Sequence, residues 1–214
     1  MPSQPPSRRQ LRAARRALTP DQQKDHATRV VRRISTSWPF LRASRIGLYW
    51  PADGELDPLP LLRLADGLGK QCYLPVLSPI RVGALRNKLL FARHLPTQRI
   101  QANRFGIPEP RGRGRHLARP IALDLLIVPL VGFDDHCNRI GMGGGFYDRT
   151  LAYLRHHKHW RRPRLLGLAH ECQRITAITR QPWDIRLDAI VTEARLYSKE
   201  PDGDEPEGAS GMIG

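Results

Sequence analysis

The sequence has 214 residues, of which 40% are hydrophobic, and 35 basic against 20 acidic side chains give a formal net charge of +15. This length and apolar content predict one domain with a sizeable core. The polar, basic first nine residues and the lack of any run of about 20 apolar residues argue against a secretory signal and a membrane span. Three widely spaced cysteines without a CxxC pair argue against a disulfide framework or a zinc ribbon, so we expect a cytoplasmic protein.

The positive charge predicts an anionic partner, and nucleic acid, a nucleotide and a small polycarboxylate all fit it. An alternative is that arginine simply takes the place of lysine on a solvated surface. The charge is uneven, since residues 198–214 carry one lysine and five acidic side chains. The net positive charge is therefore concentrated in residues 1–197.

Helices and strands alternate in the predicted N-terminal half. Residues 1–7 are rich in proline and serine and are predicted to be disordered. After them we expect a helix over 8–18, a helix from Pro20 to about Thr36 that Thr19 caps, a strand over 45–50, a helix that begins after Asp57 and ends at Gly67 or Gly69, and strands over 71–77 and 88–93.

The C-terminal half begins with an aperiodic stretch of arginine, glycine and proline over 96–120, which predicts a long surface loop. The continuous apolar run over 124–131 is typical of a central parallel strand that is covered on both faces. A helix over about 144–156, strands over 165–169 and 189–192, and a disordered tail over 198–214 complete the pattern. The alternation predicts one α/β domain over 8–197, with an open, mostly parallel sheet between two layers of helices.

The most informative segment is the glycine turn, Gly141-Met142-Gly143-Gly144-Gly145, which lies between the apolar strand and a helix. Backbone N–H groups in such a turn can contact phosphate, because glycine has no Cβ to hold the anion away. The turn matches neither the Walker A nor the Rossmann pattern, and a tight packing bend is the alternative interpretation. Arg139 precedes the turn and can reach an anion.

Two further clusters are candidates for binding chemistry. Asp148, in the first turn of the following helix, and Asp184, before the last predicted strand, together could hold a divalent metal ion on bound phosphates. At the carboxyl end of the first strand, Trp50 offers a flat face for a heterocycle and Glu55 offers an acceptor for its N–H groups. Ordinary core packing and solvated acids are the alternatives.

These clusters, taken in order, resemble the 5-formyltetrahydrofolate cyclo-ligase family over about residues 8–193. The most specific part of the resemblance is the segment from Asn138 to Arg149, NRIGMGGGFYDR. The supporting parts are Arg8-x-x-x-Arg12, the Glu55 turn, the FGIPEP segment over 105–110, the apolar strand before Gly132-Phe133-Asp134, and Asp184-x-x-x-Asp188.

The resemblance implies a three-layer αβα fold like that of sugar-phosphate isomerases and CoA transferases. It also implies that ATP and Mg²⁺ are used to convert 5-formyltetrahydrofolate to 5,10-methenyltetrahydrofolate, with release of ADP and phosphate through a phosphorylated formyl group. A monomer is expected, without a specific nucleic acid or a membrane as partner. A polyglutamate chain on the folate would give the basic surface an anionic partner.

The same resemblance implies roles for individual residues, with Arg139 and Tyr147 as the catalytic pair. The residues implied to contact ATP are Arg8, Arg9, Arg12, Arg139, Ile140, Gly141, Met142, Gly143, Gly144, Gly145, Phe146 and Tyr147. The residues implied to border the folate are Trp50, Glu55, Met142, Gly143, Gly144, Gly145 and Phe146. The implied Mg²⁺ ligands are Asp148 and Asp184.

Two other functions compete with this one. The basic helix over 8–16 and the RGRGR segment would suit an RNA- or DNA-binding protein, although few aromatic residues lie among the basic runs and no RNP, KH or helix-turn-helix signature is present. A sugar-phosphate isomerase could share the fold. Such an enzyme would not need ATP, so ATP dependence separates the two enzyme classes.

Overall fold

The computed structural model describes residues 5–78, 88–95, 100–103, 106, 108–110, 116–156 and 162–199. Much of the loop predicted over 96–120, part of the 105–110 segment and most of the two predicted tails lie outside the described residues. Within those ranges, no helix combines the length and the apolar character that crossing a membrane requires.

Five α-helices lie in the described part of the chain, and the cap predicted at Thr19 is confirmed. They are α1 (Arg8–Arg16), α2 (Pro20–Ser35), α3 (Trp38–Arg42), α4 (Leu59–Gly67) and α5 (Phe146–Leu151). Thr19 and Gln22 form a reciprocal capping box at the start of α2, and Ser7 and Gln10 form the same arrangement at α1. Ser7 therefore belongs to ordered structure, one residue before the predicted start of the domain.

Eight of the described strands form one sheet. They are β1 (Arg45–Gly47), β2 (Gln71–Leu77), β3 (Leu89–Arg93), β6 (Leu117–Ala118), β7 (Leu125–Pro129), β10 (Arg164–Leu168), β11 (Ala189–Val191) and β12 (Leu196–Ser198), in the order β12-β11-β10-β7-β1-β2-β3-β6. Two small antiparallel pairs lie outside it, formed by β4 (Ile100–Ala102) with β5 (Pro108–Pro110) and by β8 (Gly132–Phe133) with β9 (Arg139–Ile140). The central strands β2, β1, β7, β10 and β11 are parallel to one another, as predicted.

The strand β7 explains why its sequence is apolar without a break. Leu125 and Ile127 face a core that α2, α3 and α4 cover, whereas Leu126 and Val128 face a second core that α5 covers. All four side chains are buried, because successive residues of a strand point to opposite faces and both faces are packed. The mostly parallel sheet thus lies between helical layers, which confirms the predicted α/β class.

The strands at the edges of the sheet are antiparallel, so the sheet is mostly and not entirely parallel, as predicted. β3 is antiparallel to β2, β6 to β3, and β12 to β11. Only four residues, 192–195, connect β11 to β12, and a parallel connection needs a dozen or more. Because Ser198 ends β12 and pairs with Ala189, ordered structure extends past residue 197, where the domain was predicted to end.

The helix predicted over 144–156 is shorter and broken. Gly145 has a left-handed backbone with φ of 60°, so α5 begins only at Phe146, and a 3-10 helix over Ala152–Arg155 replaces its last turn. This geometry places the glycine turn outside the helix, beside the carboxyl ends of the central strands.

Candidate functional site

A cavity of about 1530 Å³ lies at the carboxyl ends of the central strands. Its walls include the segment after β1 with Trp50 and Glu55, the end of β7 at Pro129 and the whole glycine turn. Ligands of open α/β sheets bind at this end of the strands. The volume exceeds the range of roughly 300–1,000 Å³ that is usual for one small ligand, so there is room for two substrates.

Arg139 lies in the wall of this cavity on the hairpin strand β9. Its side chain is 5% exposed, and Nη2 donates to Oδ1 of Asp148 over 2.6 Å. Its Nε is buried and, among the described residues, has no hydrogen-bond partner. Buried polar groups in folded proteins are nearly always hydrogen-bonded, so an unpartnered guanidinium N–H at a cavity wall fits an anionic ligand.

Asp134 fixes the hairpin that carries Arg139. Its buried carboxylate accepts hydrogen bonds from the backbone N–H groups of His136, Asn138 and Ile178, at 3.1, 2.9 and 3.0 Å. The side-chain amide of Asn138 donates a fourth, over 2.9 Å. Asp134 thus has a structural role, since it holds the hairpin in the conformation that positions Arg139.

The glycine turn has a backbone that favours glycine. Gly143 has a φ of +96° and Gly145 a φ of +60°, both in the left-handed region that other residues seldom adopt. A Cβ on Gly141 would lie 3.2 Å from Nη1 of Arg139, so glycine also lets this arginine pack closely. At the other side, Nε of Arg8 donates to the carbonyl of Gly141 over 3.1 Å and connects α1 to the turn.

Replacing Gly143 by alanine should cost about 1–2 kcal/mol of folding free energy, because an alanine must adopt a left-handed backbone there. No atom lies within 4 Å of the added Cβ, so the backbone is the whole cause. Thermal unfolding measures the loss. Gly67→Ala is the matched control, since its Cβ is equally free and its φ is ordinary. An equal loss of stability in both variants would contradict the interpretation.

An arginine–aspartate network joins α1 to the segment after β1. The carboxylate of Asp53 lies 2.7 Å from Nε of Arg12, 3.0 Å from Nη2 of Arg15 and 2.5 Å from Nε of Arg16. Partial burial raises the pKa of Asp53, but hydrogen bonds from the three arginines outweigh burial and hold it well below the usual range. The network holds in place the turn that contains Glu55.

Arg15 is the fully buried member of this network. Besides Asp53, it donates to the carbonyl of Leu130 over 3.1 Å and lies 3.7 Å from the carboxylate of Glu55. A buried charge is tolerated only when it is paired and hydrogen-bonded. Arg15 entered the sequence-based prediction only as part of the basic helix over 8–16, without a role of its own. Its spacing from Arg12 was the available signal.

Glu55 has an unusual protonation equilibrium for a carboxylic acid. Burial raises its pKa to about 7, although Arg15 and a hydrogen bond from the backbone N–H of Ala52 act in the opposite direction. Its side chain is 11% exposed, which explains why desolvation outweighs an arginine at 3.7 Å. Near neutral pH the group can therefore either accept a hydrogen bond as a carboxylate or donate one as an acid.

Glu55→Gln should change how stability depends on pH. Because the folded-state pKa lies above the unfolded value, the stabilising contribution of Glu55 is complete below about pH 4.5 and is lost as pH rises through about 7. Over that window the wild-type protein should lose about 3 kcal/mol relative to Glu55→Gln. Urea unfolding at a series of pH values measures the difference, with Asp25→Asn on exposed α2 surface as control. A parallel pH dependence in wild type and Glu55→Gln would contradict the raised pKa.

Two tyrosines lie beside this carboxyl group. Burial, and then the charge of Glu55, raise the pKa of Tyr49 and of Tyr147 well above the usual range, so both phenols stay neutral. The hydroxyl of Tyr49 donates to the carbonyl of Leu56. The guanidinium of Arg139 lies 5.9 Å from the ring of Tyr147. Tyr147 can therefore act as a neutral hydrogen-bond donor next to Arg139.

Asp148 and Asp184 both line the cavity and offer the hard oxygen atoms that Mg²⁺ prefers. They are close in space, because the backbone N–H of Ile185, which follows Asp184, lies 3.4 Å from Oδ1 of Asp148. Oδ2 of Asp184 accepts from the backbone N–H of Gln181 over 2.7 Å. The donor set fits a magnesium ion, although Arg139 occupies one oxygen of Asp148.

Nearly all the residues singled out from the sequence meet at this one cavity. Those that line it are Arg8, Trp50, Glu55, Arg139, Ile140, Gly141, Met142, Gly143, Gly144, Gly145, Phe146, Tyr147, Asp148 and Asp184. Arg9 and Arg12 are not part of the wall, and Arg12 instead pairs with Asp53. Lys88 also lines the cavity and was not predicted from the sequence, because its place in the wall depends on how β3 pairs with β2.

Known proteins resemble the chain along most of its length. A family model described as the 5-formyltetrahydrofolate cyclo-ligase family matches residues 1–193. A 5-formyltetrahydrofolate cyclo-ligase of Escherichia coli K12 is 40% identical over 87% of this chain and 98% of its own length. One from Haemophilus influenzae is 36% identical over 86% of this chain and 94% of its own length.

Two solved structures also resemble the chain along most of its length. The NMR structure of Aquifex aeolicus 5,10-methenyltetrahydrofolate synthetase superposes with a TM-score of 0.73 at 25% identity, over 94% of this chain and 97% of that one. A synthetase structure from Mycoplasma pneumoniae, at 21% identity and a TM-score of 0.62, covers 87% of this chain and 96% of its own and shares the fold. The chain therefore belongs to the 5-formyltetrahydrofolate cyclo-ligase family.

Proposed function

We propose that the protein uses ATP to convert 5-formyltetrahydrofolate to 5,10-methenyltetrahydrofolate, with release of ADP and phosphate. Family membership supports the cyclo-ligase activity. The observation that carries the ATP dependence is Arg139, which lines a cavity of two-substrate size and whose buried Nε has no partner among the described residues. A guanidinium group in this position suits an anionic co-substrate such as ATP.

The triphosphate would lie along the glycine turn. Arg139 would donate Nε to the transferring phosphoryl group while Nη2 remains on Asp148, so its position is fixed before ATP arrives. Gly143 and Gly145 would present a backbone without side chains to the phosphates. Arg8, which already bonds the turn, would supply a further positive charge at the cavity wall.

The Mg²⁺ expected with ATP would be held by Asp148 and Asp184, whose carboxylates share this wall. When bound, the ion would offset negative charge on the triphosphate. Asp148 would then contact the ion and Arg139 at once. This arrangement would place both positive groups against the same phosphates.

The folate would occupy the side of the cavity formed by the segment after β1. Trp50 would stack on the pteridine ring, and Glu55 would bond its N–H groups. With a pKa near 7, Glu55 can change between accepting and donating a hydrogen bond at little cost. The arginine–aspartate network holds this turn in place before the substrate binds.

The proposed chemistry overcomes the low reactivity of a formamide, whose oxygen is a poor leaving group. The formyl oxygen attacks the γ-phosphorus of ATP, the bond to the β–γ bridging oxygen breaks, and ADP leaves. Nitrogen 10 then attacks the activated formyl carbon and loses its proton. The carbon–oxygen bond breaks, phosphate leaves with both electrons of that bond, and the methenyl ring is closed.

The protein would contribute positioning and charge, since a covalent enzyme intermediate is not required. Tyr147 would donate a hydrogen bond to the reacting oxygen atoms as a neutral phenol. Cys137 is an unsuitable nucleophile, because it is buried and burial raises the pKa of its thiol to about 11. Arg139 and Tyr147 are therefore the residues proposed for the catalytic roles.

An absorbance assay for the methenyl product tests this function. The purified protein is mixed with 5-formyltetrahydrofolate and Mg²⁺, with and without ATP, and product should form only with ATP. Substrates with one and with several glutamates are compared, and a lower KM for the longer chain would support a polyglutamate contact with the basic surface. Product formed without ATP, or none from folded protein, would contradict the proposal.

A further inference from the structure

A second cluster of ligand-type side chains lies outside the cavity. His26 belongs to α2, His170 follows β10 and Glu193 follows β11. The Nδ1 atoms of the two histidines are 2.9 Å apart, and Oε1 of Glu193 lies 3.6 Å from Nδ1 of His26. None of the three lines the cavity. In the described part of the chain, this is the one group of three or more such residues whose donor atoms lie within 4.8 Å of each other.

The three side chains are held by their surroundings. Both oxygens of Glu193 accept from the backbone N–H of Glu171, over 3.2 and 3.1 Å. The backbone N–H of His170 donates to the side chain of Gln173 over 2.9 Å, and the amide of Gln173 in turn bonds the carbonyl of Leu130 over 2.9 Å. Such supporting hydrogen bonds are typical of ligands that are oriented before a metal binds.

The imidazole of His170 presents one ring nitrogen to the other two side chains. The ring is completely buried, and its Nδ1 is the atom that lies 2.9 Å from Nδ1 of His26. A histidine binds a metal ion through one ring nitrogen, and packing of the rest of the ring in the protein fixes the direction in which that nitrogen points.

We propose that His26, His170 and Glu193 form a structural binding site for a zinc-class divalent cation. Zinc bonds of 2.0–2.2 Å in tetrahedral geometry place neighbouring ligand atoms roughly 3.3 Å apart. The observed separations of 2.9 and 3.6 Å lie on either side of that value. Two imidazoles and one carboxylate leave a fourth position for water, and nitrogen ligands favour zinc over magnesium.

The cation would join one helix to the segments that follow two neighbouring strands of the sheet. His26 lies on α2, whereas His170 and Glu193 follow the adjacent strands β10 and β11. These parts of the chain are far apart in sequence, so a shared ligand would stabilise the folded state. The site is separate from the substrate cavity, and this inference does not rest on the proposed cyclo-ligase activity.

The alternative is a hydrogen bond between two neutral histidines, since 2.9 Å also suits an N–H···N contact. That arrangement needs no metal. It predicts that zinc leaves the melting temperature unchanged. A metal site predicts a saturable rise, so the two interpretations give opposite results.

The test is thermal unfolding of tag-free protein, first treated with a chelator, then titrated with Zn²⁺ or with Mg²⁺. Zinc at about 100 times its Kd should raise Tm by roughly 5–10 °C, and magnesium at the same concentration should not. Calorimetric titration should give one zinc ion per chain. His26→Ala and Glu193→Gln should each remove most of the Tm rise, and the Tm of each variant without zinc is its own baseline, so a loss of stability from the substitution itself is measured separately.

Two controls separate this site from other zinc-binding groups. His94→Ala removes a histidine that lies 3.7 Å from Asp66 and belongs to no three-ligand group in the described ranges, so its zinc response should match wild type. Cys172→Ser removes an exposed thiol, and the zinc response should survive it. A zinc response absent from wild type, or unchanged in His26→Ala and Glu193→Gln, would overturn the proposal.

Discussion

Arg139→Ala is expected to lower kcat for methenyl formation by about 10²–10³-fold, the usual effect of losing one donor to a charged transition state. Arg139→Lys should recover little of this loss, because a lysine has one ammonium group and cannot bond Asp148 and an anion through separate nitrogens as a guanidinium can. The KM for ATP should change less than kcat, since the contact strengthens as charge develops on the transferring phosphoryl group. Steady-state kinetics of both variants measure kcat and the KM for ATP separately.

The partner of Arg139 needs its own variant. Asp148→Asn should also lower activity, and the double variant with Arg139→Ala should lose less than the two single losses combined, because the residues share an ion pair of 2.6 Å. Arg174→Ala is the matched control, since this arginine forms a similar pair with Asp135 on the surface and is absent from the cavity wall. A folded Arg139→Ala protein with the kcat of wild type would contradict the catalytic assignment.

Asp53→Ala should be the most destabilising of these substitutions, with a loss of about 3–5 kcal/mol in the free energy of unfolding. The loss arises because fully buried Arg15 keeps its charge and loses the nearer of its two carboxylate partners, so that only Glu55 at 3.7 Å remains. The backbone adds strain, since Asp53 has a φ of 55° that alanine adopts poorly. Chemical unfolding and Tm measure the effect, with a fall of roughly 10 °C expected.

Asp53→Asn separates the two causes. Asparagine tolerates the left-handed backbone and retains one of the two acceptor oxygens, so the charge and one acceptor are lost without backbone strain and the fall in stability should be smaller. Asp135→Ala is the control, because its pair with Arg174 is exposed and should change Tm little. Equal Tm values for wild type and Asp53→Ala would show that Arg15 does not depend on this carboxylate.

Local patterns predicted much of the fold. The capping box at Thr19 and Gln22 is specified within four residues, and the apolar run of β7 is apolar because both faces of that strand are covered. These features depend on neighbours along the chain or on burial that every residue of the segment shares. The parallel centre of the sheet follows from the alternation of strands and helices.

The edge strands of the sheet were harder to predict, because these strands are short and their pairing depends on partners that are distant in the sequence. β12 has three residues, too few to show a period, and its partner β11 fixes its direction. The left-handed Gly145 shortens α5, and a glycine in the sequence does not reveal which φ it adopts. Backbone geometry of this kind follows from the assembled fold.

Within the site, residues that are adjacent in sequence were predicted together, and residues that meet through folding were not. Arg139 and the glycine turn are contiguous, and they share the cavity wall. Arg15 lies 38 positions from Asp53 in the sequence. The basic residues of the helix over 8–16 therefore gave no sign that one of its arginines is buried beside carboxylates. The cluster of His26, His170 and Glu193 joins still more distant segments.

The most direct test of the proposed mechanism determines where the formyl oxygen of the substrate goes. If 5-formyltetrahydrofolate carries a heavy oxygen isotope in its formyl group and the reaction runs with ATP, mass spectrometry of the released phosphate should find one labelled oxygen per product molecule. That result is predicted because the formyl oxygen attacks phosphorus and leaves with it. Unlabelled phosphate, with the label released to water, would contradict the phosphorylated intermediate and the roles given to Arg139 and the glycine turn.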